Sequence, residues 1–314
     1  MMRDADDCWQ ATPQVFDARA DGLFAPGAVV RRLASGAIWG EGPVWIAEAD
    51  SVLWSDIPNN RMLRWSEAQG LGVWRTDAAF CNGHTRDLDG SLLHCSHGQR
   101  AVMRTRFLAG TDQAQGEDEW VVSHYQGRRL NSPNDIVVKR DGTLWFSDPP
   151  YGILSDREGH YAEAEQRHNY VFRFDPRIGA LEIATDVLEE PNGLAFSPDE
   201  QVLYVSDTSA ALRDEGLHQI VAFDVLDGRV LANPRVFAVV EPGLPDGFRV
   251  DGRGWLYTSS ANGVQVYHAD GSRLAHIPIP EKVGNLTFGG RRGADLYIVA
   301  STSLYHVAIE PLPS

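Results

Sequence analysis

Short apolar runs separated by turn residues fill the chain, and long amphipathic stretches are missing. GSLLHCSH, GTLWFSD, QVLYVSD, GWLYTSS and ADLYIVA are rich in β-branched and aromatic residues and bounded by Gly, Asp and Ser, the pattern of buried strands. Asp-Gly pairs at 89–90, 141–142, 227–228 and 270–271 supply hairpin turns. RMLRW, AVMRTRF, NYVFRFD, QIVAFDV, VQVYHAD and SLYHVAI follow as third strands. Only AEAEQRHN predicts any helix, a single short turn.

Six segments share one template, in which a Glu, Asn or Asp starts a strand and an antiparallel strand follows. They are Glu41 in WGEGPVWIAEADSVLWSD, Asn82 in CNGHTRDLDGSLLHCSH, Asn134 in SPNDIVVKRDGTLWFSD, Asn192 in EPNGLAFSPDEQVLYVSD, Asp246 in LPDGFRVDGRGWLYTSS and Asn285 in GNLTFGGRRGADLYIVA. Units repeating at roughly 40 to 60 residues, each with several short strands, predict an all-β, six-bladed propeller. AVVRRLASG precedes the first inner strand without a blade of its own. It is expected to pair beside SLYHVAI as the outer strand of the last blade, closing the ring and covering an edge. The expected organisation is an N-terminal extension over 1–27 and a single propeller domain over 28–310.

Charge narrows the partners. With 28 Lys and Arg against 43 Asp and Glu, the 314-residue chain carries a formal charge of −15, which opposes nucleic acid and anionic membranes and leaves a small molecule as the expected ligand. No apolar run approaches the ~18 residues of a membrane helix, and the opening MMRDADDCWQATPQ lacks the basic and apolar regions of a signal peptide. The expectation is a cytoplasmic monomer or weak homodimer. Cys8, Cys81 and Cys95 are odd in number and lack zinc-ligand spacing. They are expected as reduced thiols, with a Cys81–Cys95 pair across the hairpin left open.

In a propeller the innermost strands all start at one face beside the axis, so the six template residues become neighbours. Singly, Asn-Gly or Pro-Asp-Gly reads as a turn. Jointly, Glu41, Asn134, Asn192 and Asp246 offer two carboxylates and two amides, a donor set for a hard divalent cation. Ca²⁺ is the expected ion, with Mg²⁺, Mn²⁺ and Zn²⁺ open. Asn82, His97, Asn134 and Tyr151 are the expected substrate contacts. His97, Asp148 and Asp207 end second strands, which return to the same face. Asp148 and Asp207 are expected either to orient the ligand amides or hold a water, or to cap the strand exits. Tyr151 opens the long segment 149–168, expected to rise over the site as a lid. Residues 109–119 are expected as a solvated loop. Asn285 is read as a structural amide, His84 as blade core, and Trp39, Trp45, Trp54 and Trp145 as blade packing.

The segments WGEGPVW, LNSPNDIVV, TLWFSDPPYG, EPNGLAFSPD and LPDGFRVD resemble, in order, those of the gluconolactonase/senescence-marker-protein-30 family of six-bladed propellers. Squid-type diisopropylfluorophosphatase is a more distant relative. The similarity runs from about residue 28 to 308 and is nearest to bacterial gluconolactonases, through CNGHTRDLDGSLLHCSHGQRAV and ADLYIVASTSLYHV. It implies lactone hydrolysis, one catalytic divalent cation held by Glu41, Asn134, Asn192 and Asp246, and Asp246 as general acid/base. The chain departs from the pattern at Ser96, where those enzymes often carry Glu, and at Ser132, where animal relatives carry Arg.

The residues support the same chemistry without the resemblance. A divalent ion polarises a lactone carbonyl, and a neighbouring carboxylate can move the proton of water. Glu41 is the alternative base and the expected buried anchor. The expected function is hydrolysis of glucono-1,5-lactone-type sugar lactones to aldonic acids. The alternatives are an organophosphate or aryl-ester hydrolase using the same cation, and a non-catalytic ligand-binding propeller.

Overall fold

The computed structural model of the chain describes residues 9–311, a range that leaves out Cys8. Six antiparallel sheets of four or five strands form the blades, with a two-stranded ribbon at His124–Tyr125 and Arg128–Arg129 beside them. The innermost strands are Gly40–Ile46, Cys81–Arg86, Ile136–Val138, Pro191–Phe196, Phe248–Val250 and Val283–Gly289. Each touches the innermost strand of both neighbouring blades, and the last touches the first, so the ring is closed. Val30–Ser35 pairs with Ser303–Ala308 as an outer strand of the last blade, as the sequence predicts. Upstream, Gln10–Ala11 and Gln14–Val15 add edge strands to blades 6 and 5, covering two edges that would otherwise expose unpaired backbone.

The strands read as continuous apolar runs because each blade is buried on both faces. In the second strand of blade 1, Val52 and Trp54 pack against blade 6 beside Val299 and Leu304, and Leu53 faces Cys81 and Leu92 of blade 2. Trp145 meets Leu194 and Leu203 of blade 4, whereas Phe146 next to it meets Leu93 and Val102 of blade 2. The open question about Cys81 and Cys95 is settled by the same alternation. Both are free, and they lie in clusters on opposite faces of blade 2.

Two expectations require correction. AEAEQRHN forms no helix. Its Gln166 and Glu165 side chains bond the backbone of Arg128 and Arg129, along a path that bends at 166–168. The 109–119 insertion is not simply solvated either. Asp112 is buried against blade 1, accepting from Ser51 Oγ at 2.8 Å and from Arg64, while its carbonyl accepts from Trp74 Nε1 at 2.6 Å.

The axis is built from irregular strand starts. The ladder slips between Glu41 and Val44, Cys81 and His84, and Pro191 and Leu194, bulges that re-aim the side chains at the mouth of the ring. The glycines after Glu41, Asn82, Asn192 and Asp246 admit the next blade, whereas Asn134 is followed by Asp135. Gly193 N–H donates to the Asp246 carbonyl at 2.9 Å, and a Cβ at Gly193 would stand 2.4 Å from that oxygen. A Cβ on Gly42, whose φ is +54°, would stand 2.2 Å from the Asn82 carbonyl. Asn192-Gly193, which reads as a turn in sequence, is a close inter-blade contact, and so is Glu41-Gly42. Gly193→Ala is therefore expected to destabilise the fold by about 1–3 kcal/mol through overpacking, measured as a fall in the urea midpoint. Gly72, with no atom near its Cβ position, is the control, and equal stability of the two alanine variants would contradict this reading.

Candidate active site

At the end of the axis where the inner strands begin, a cavity of about 550 Å³ is lined by Glu41, Asn82, Asn134, Asn192 and Asp246. The same wall includes Tyr151, Leu154, Ser155, Arg157 and Glu158 from the 149–168 segment, so that segment does reach the site. Asn285 sits beneath the cavity, its Nδ2 reaching Asp135 Oδ2 at 3.4 Å.

Glu41 is 4 % exposed. Its Oε2 accepts from the Gly42 N–H at 3.0 Å, and its Oε1 is buried with no hydrogen-bond partner. Burial first, and then the charge of Asp246, hold the Glu41 carboxyl well above the ordinary carboxylate range. Asp246 is more open to the cavity. Burial raises it too, against the opposing effects of Lys282 and the Asn192 amide. Asn192 Nδ2 donates to Thr208 Oγ1 at 3.2 Å, which leaves its Oδ1 for the cavity. Thr208 Oγ1 also bonds the Tyr151 hydroxyl at 2.7 Å.

This donor set suits a hard divalent cation. Two carboxylates forced together in a buried site, one with an orphaned oxygen, are costly unless a positive charge joins them, and amide oxygens complete an all-oxygen set. Among the described residues no group of three or more His, Cys, Asp or Glu is arranged to hold a metal ion. The set here depends on its two amides.

The supporting residues work through the backbone. Asp148 Oδ2 accepts from the Asn131 N–H at 2.8 Å and Asp207 Oδ2 from the Glu189 N–H at 2.7 Å. Asp56, at the same strand exit in blade 1, accepts from the Ile38 N–H at 2.9 Å. Each bond pins the chain three residues before Asn134, Asn192 or Glu41. The bonds of Asp148 and Asp207 are thus those of the strand-exit cap, the alternative to orienting the Asn134 and Asn192 amides, and they fix the entering loop. His97 is also displaced from its expected place. It does not line the cavity; its 1 %-exposed ring stands behind Asn82.

Sequence reasoning missed Asp56, Thr208, Trp39, Glu158 and Lys282. Trp39 lines the cavity and is not blade packing, with Lys282 Nζ 4.9 Å from its ring centroid. The repeated Ser-Asp at 55–56, 147–148 and 206–207 was the available signal for Asp56. Position relative to the template would have found Trp39 and Leu244, each two residues before a donor. No such signal marks Glu158.

A model of the SMP-30/Gluconolactonase/LRE-like region matches residues 39–302. The gluconolactonase of Zymomonas mobilis is 31% identical over 310 residues, covering 93% of this chain and 84% of that protein. The pentonolactonase of Haloferax volcanii is 29% identical over 270 residues, covering 83% of this chain and 81% of its own. A solved gluconolactonase from Xanthomonas campestris superposes with a TM-score of 0.87 at 38% identity, covering 96% of this chain and 95% of that one.

Proposed function

Because the chain belongs to the SMP-30/gluconolactonase/LRE-like family and is a lactone hydrolase, we propose that it opens sugar lactones of the glucono-1,5-lactone type with the aid of one divalent cation. Glu41, Asn134, Asn192 and Asp246 would hold that ion, Ca²⁺ first among the candidates. The observation that supports this most is the buried, unpartnered Glu41 Oε1 in the same cavity as the Asp246 carboxylate.

When bound, the cation supplies Lewis acidity that polarises the lactone carbonyl and acidifies water. The protein supplies position and proton transfer. Glu41, deeper and more buried, serves as a fixed negative charge. Asp246, open to the cavity, takes a proton from the attacking water as the new C–O bond forms at the carbonyl carbon. It returns that proton to the ring oxygen as the acyl–oxygen bond breaks, giving a hydroxy acid. The Thr208 hydroxyl, bonded to both Asn192 and Tyr151, keeps the Asn192 oxygen turned inward.

Exhaustive treatment with a chelator, verified metal-free by elemental analysis, is expected to reduce glucono-1,5-lactone hydrolysis to its spontaneous rate. Added Ca²⁺ is expected to restore it. Undiminished turnover by the metal-free protein would refute the cation's role while leaving the hydrolase assignment standing.

A further inference from the structure

His97 is bonded at both ring nitrogens. Nδ1 lies 2.9 Å from the Glu158 carbonyl oxygen, and Nε2 lies 3.3 Å from Asn82 Nδ2. A carbonyl oxygen can only accept, so Nδ1 must carry the proton. In a neutral imidazole Nε2 is then an acceptor, and the group facing it must be the NH₂ of Asn82. Burial holds the ring pKa down to about 4, so the neutral form persists. With Nδ2 committed, Asn82 has its Oδ1 left for the cavity it lines.

The other end of this bridge lies in the segment over the site. Gly152 rests on the ring so closely that a Cβ there would stand 2.5 Å from His97 Cβ and Cγ. The segment folds back on itself where the His160 N–H donates to the Gly152 carbonyl at 3.0 Å, and the His160 ring meets Phe80 edge-on at 5.3 Å. Arg157 and Glu158, which line the cavity, are carried between these two fixed points.

We propose that His97 is a positioning residue that presents Asn82 Oδ1 as the acceptor for a hydroxyl of a polyhydroxylated lactone and ties that acceptor to the seating of the 152–160 segment. The substrate half of this inference rests on the lactonase reading above. His97 itself touches no substrate.

His97→Leu is expected to raise KM for glucono-1,5-lactone roughly 3- to 10-fold, the worth of one neutral hydrogen bond, with a smaller change in kcat. KM for an unsubstituted δ-lactone should rise less, since it has no hydroxyl to lose and feels only the loosened segment. His97→Gln, whose amide can accept from Asn82 and donate to Glu158, should recover part of the loss. On the ratio of the two KM values, which isolates the hydroxyl contact, His97→Leu should add nothing further in an Asn82→Ala background, because a residue acting through another shows full coupling in a double-mutant cycle. Trypsin cleavage after the exposed Arg157 should accelerate in His97→Leu and not in Asn82→Ala. Equal KM increases for both lactones, or additive effects of the two substitutions on that ratio, would overturn the proposal. If His97→Leu fails to fold, His97→Gln and Asn82→Ala carry the same comparison. If wild-type protein hydrolyses no lactone, the functional reading fails instead; the trypsin comparison then still decides whether His97 seats the segment, and unchanged cleavage would overturn that link.

Discussion

Asp246→Ala is expected to lower kcat for glucono-1,5-lactone by about 10³-fold or more, with the propeller still folded. Loss of a positioned general acid/base alone removes roughly 10²–10⁴ in rate, and the alanine also removes one of the two carboxylates facing the cavity. Stability should not suffer. Burial already raises the Asp246 carboxyl and its charge raises Glu41, so deleting it relieves repulsion in the metal-free protein. Asp246→Asn separates the two roles. The amide keeps an oxygen donor but cannot take a proton, so this variant should retain weakened cation binding and remain inactive. Steady-state kinetics together with a thermal melt in chelator checks both, and near-normal turnover by either variant would remove Asp246 from the chemistry.

Glu41→Gln is expected to weaken divalent-cation binding by roughly 100-fold, since charge count is the main lever on an all-oxygen site. The substitution is nearly isosteric, and an amide at this position still has an oxygen to accept from Gly42 N–H. What it removes is half of the negative charge in the donor set. The same change should stabilise the metal-free protein, because a carboxyl held well above its ordinary range by burial is costly to fold around at neutral pH, whether it stays ionised or takes up a proton. Calorimetric titration with Ca²⁺ and melts with and without chelator read the two effects, which have opposite signs. Unchanged Ca²⁺ affinity in Glu41→Gln would contradict its role as a ligand.

The propeller was legible because its signals are local and repeated. Contiguous apolar strands such as LWFSD and VLYVSD follow from burial on both blade faces, and the pairing of Val30–Ser35 with Ser303–Ala308 follows from the need to close a ring. Convergence of Glu41, Asn82, Asn134, Asn192 and Asp246 on one cavity followed from the template register alone. The bulges beside Glu41, Asn82 and Asn192 were hidden, because a one-residue slip leaves no mark on composition. For the same reason Gly193 looked like half of a turn, when its lack of a side chain is what admits the Asp246 carbonyl. His97 was found at the right strand exit and given the wrong neighbour. Whether a ring meets substrate or stands behind an amide depends on the loop that covers it, and the path of residues 149–168 was not written in any periodicity. Lys282 and Trp39 meet through side-chain packing across distant segments, which one sequence does not encode visibly.

The most direct measurement is an anomalous difference map from crystals grown with saturating Ca²⁺. The expected result is a single peak on the propeller axis, about 2.3–2.6 Å from oxygens of Glu41, Asn134, Asn192 and Asp246. A cavity holding only water at saturating Ca²⁺, or an ion bound elsewhere with Glu41 Oε1 still unpartnered, would contradict the cation-assisted mechanism.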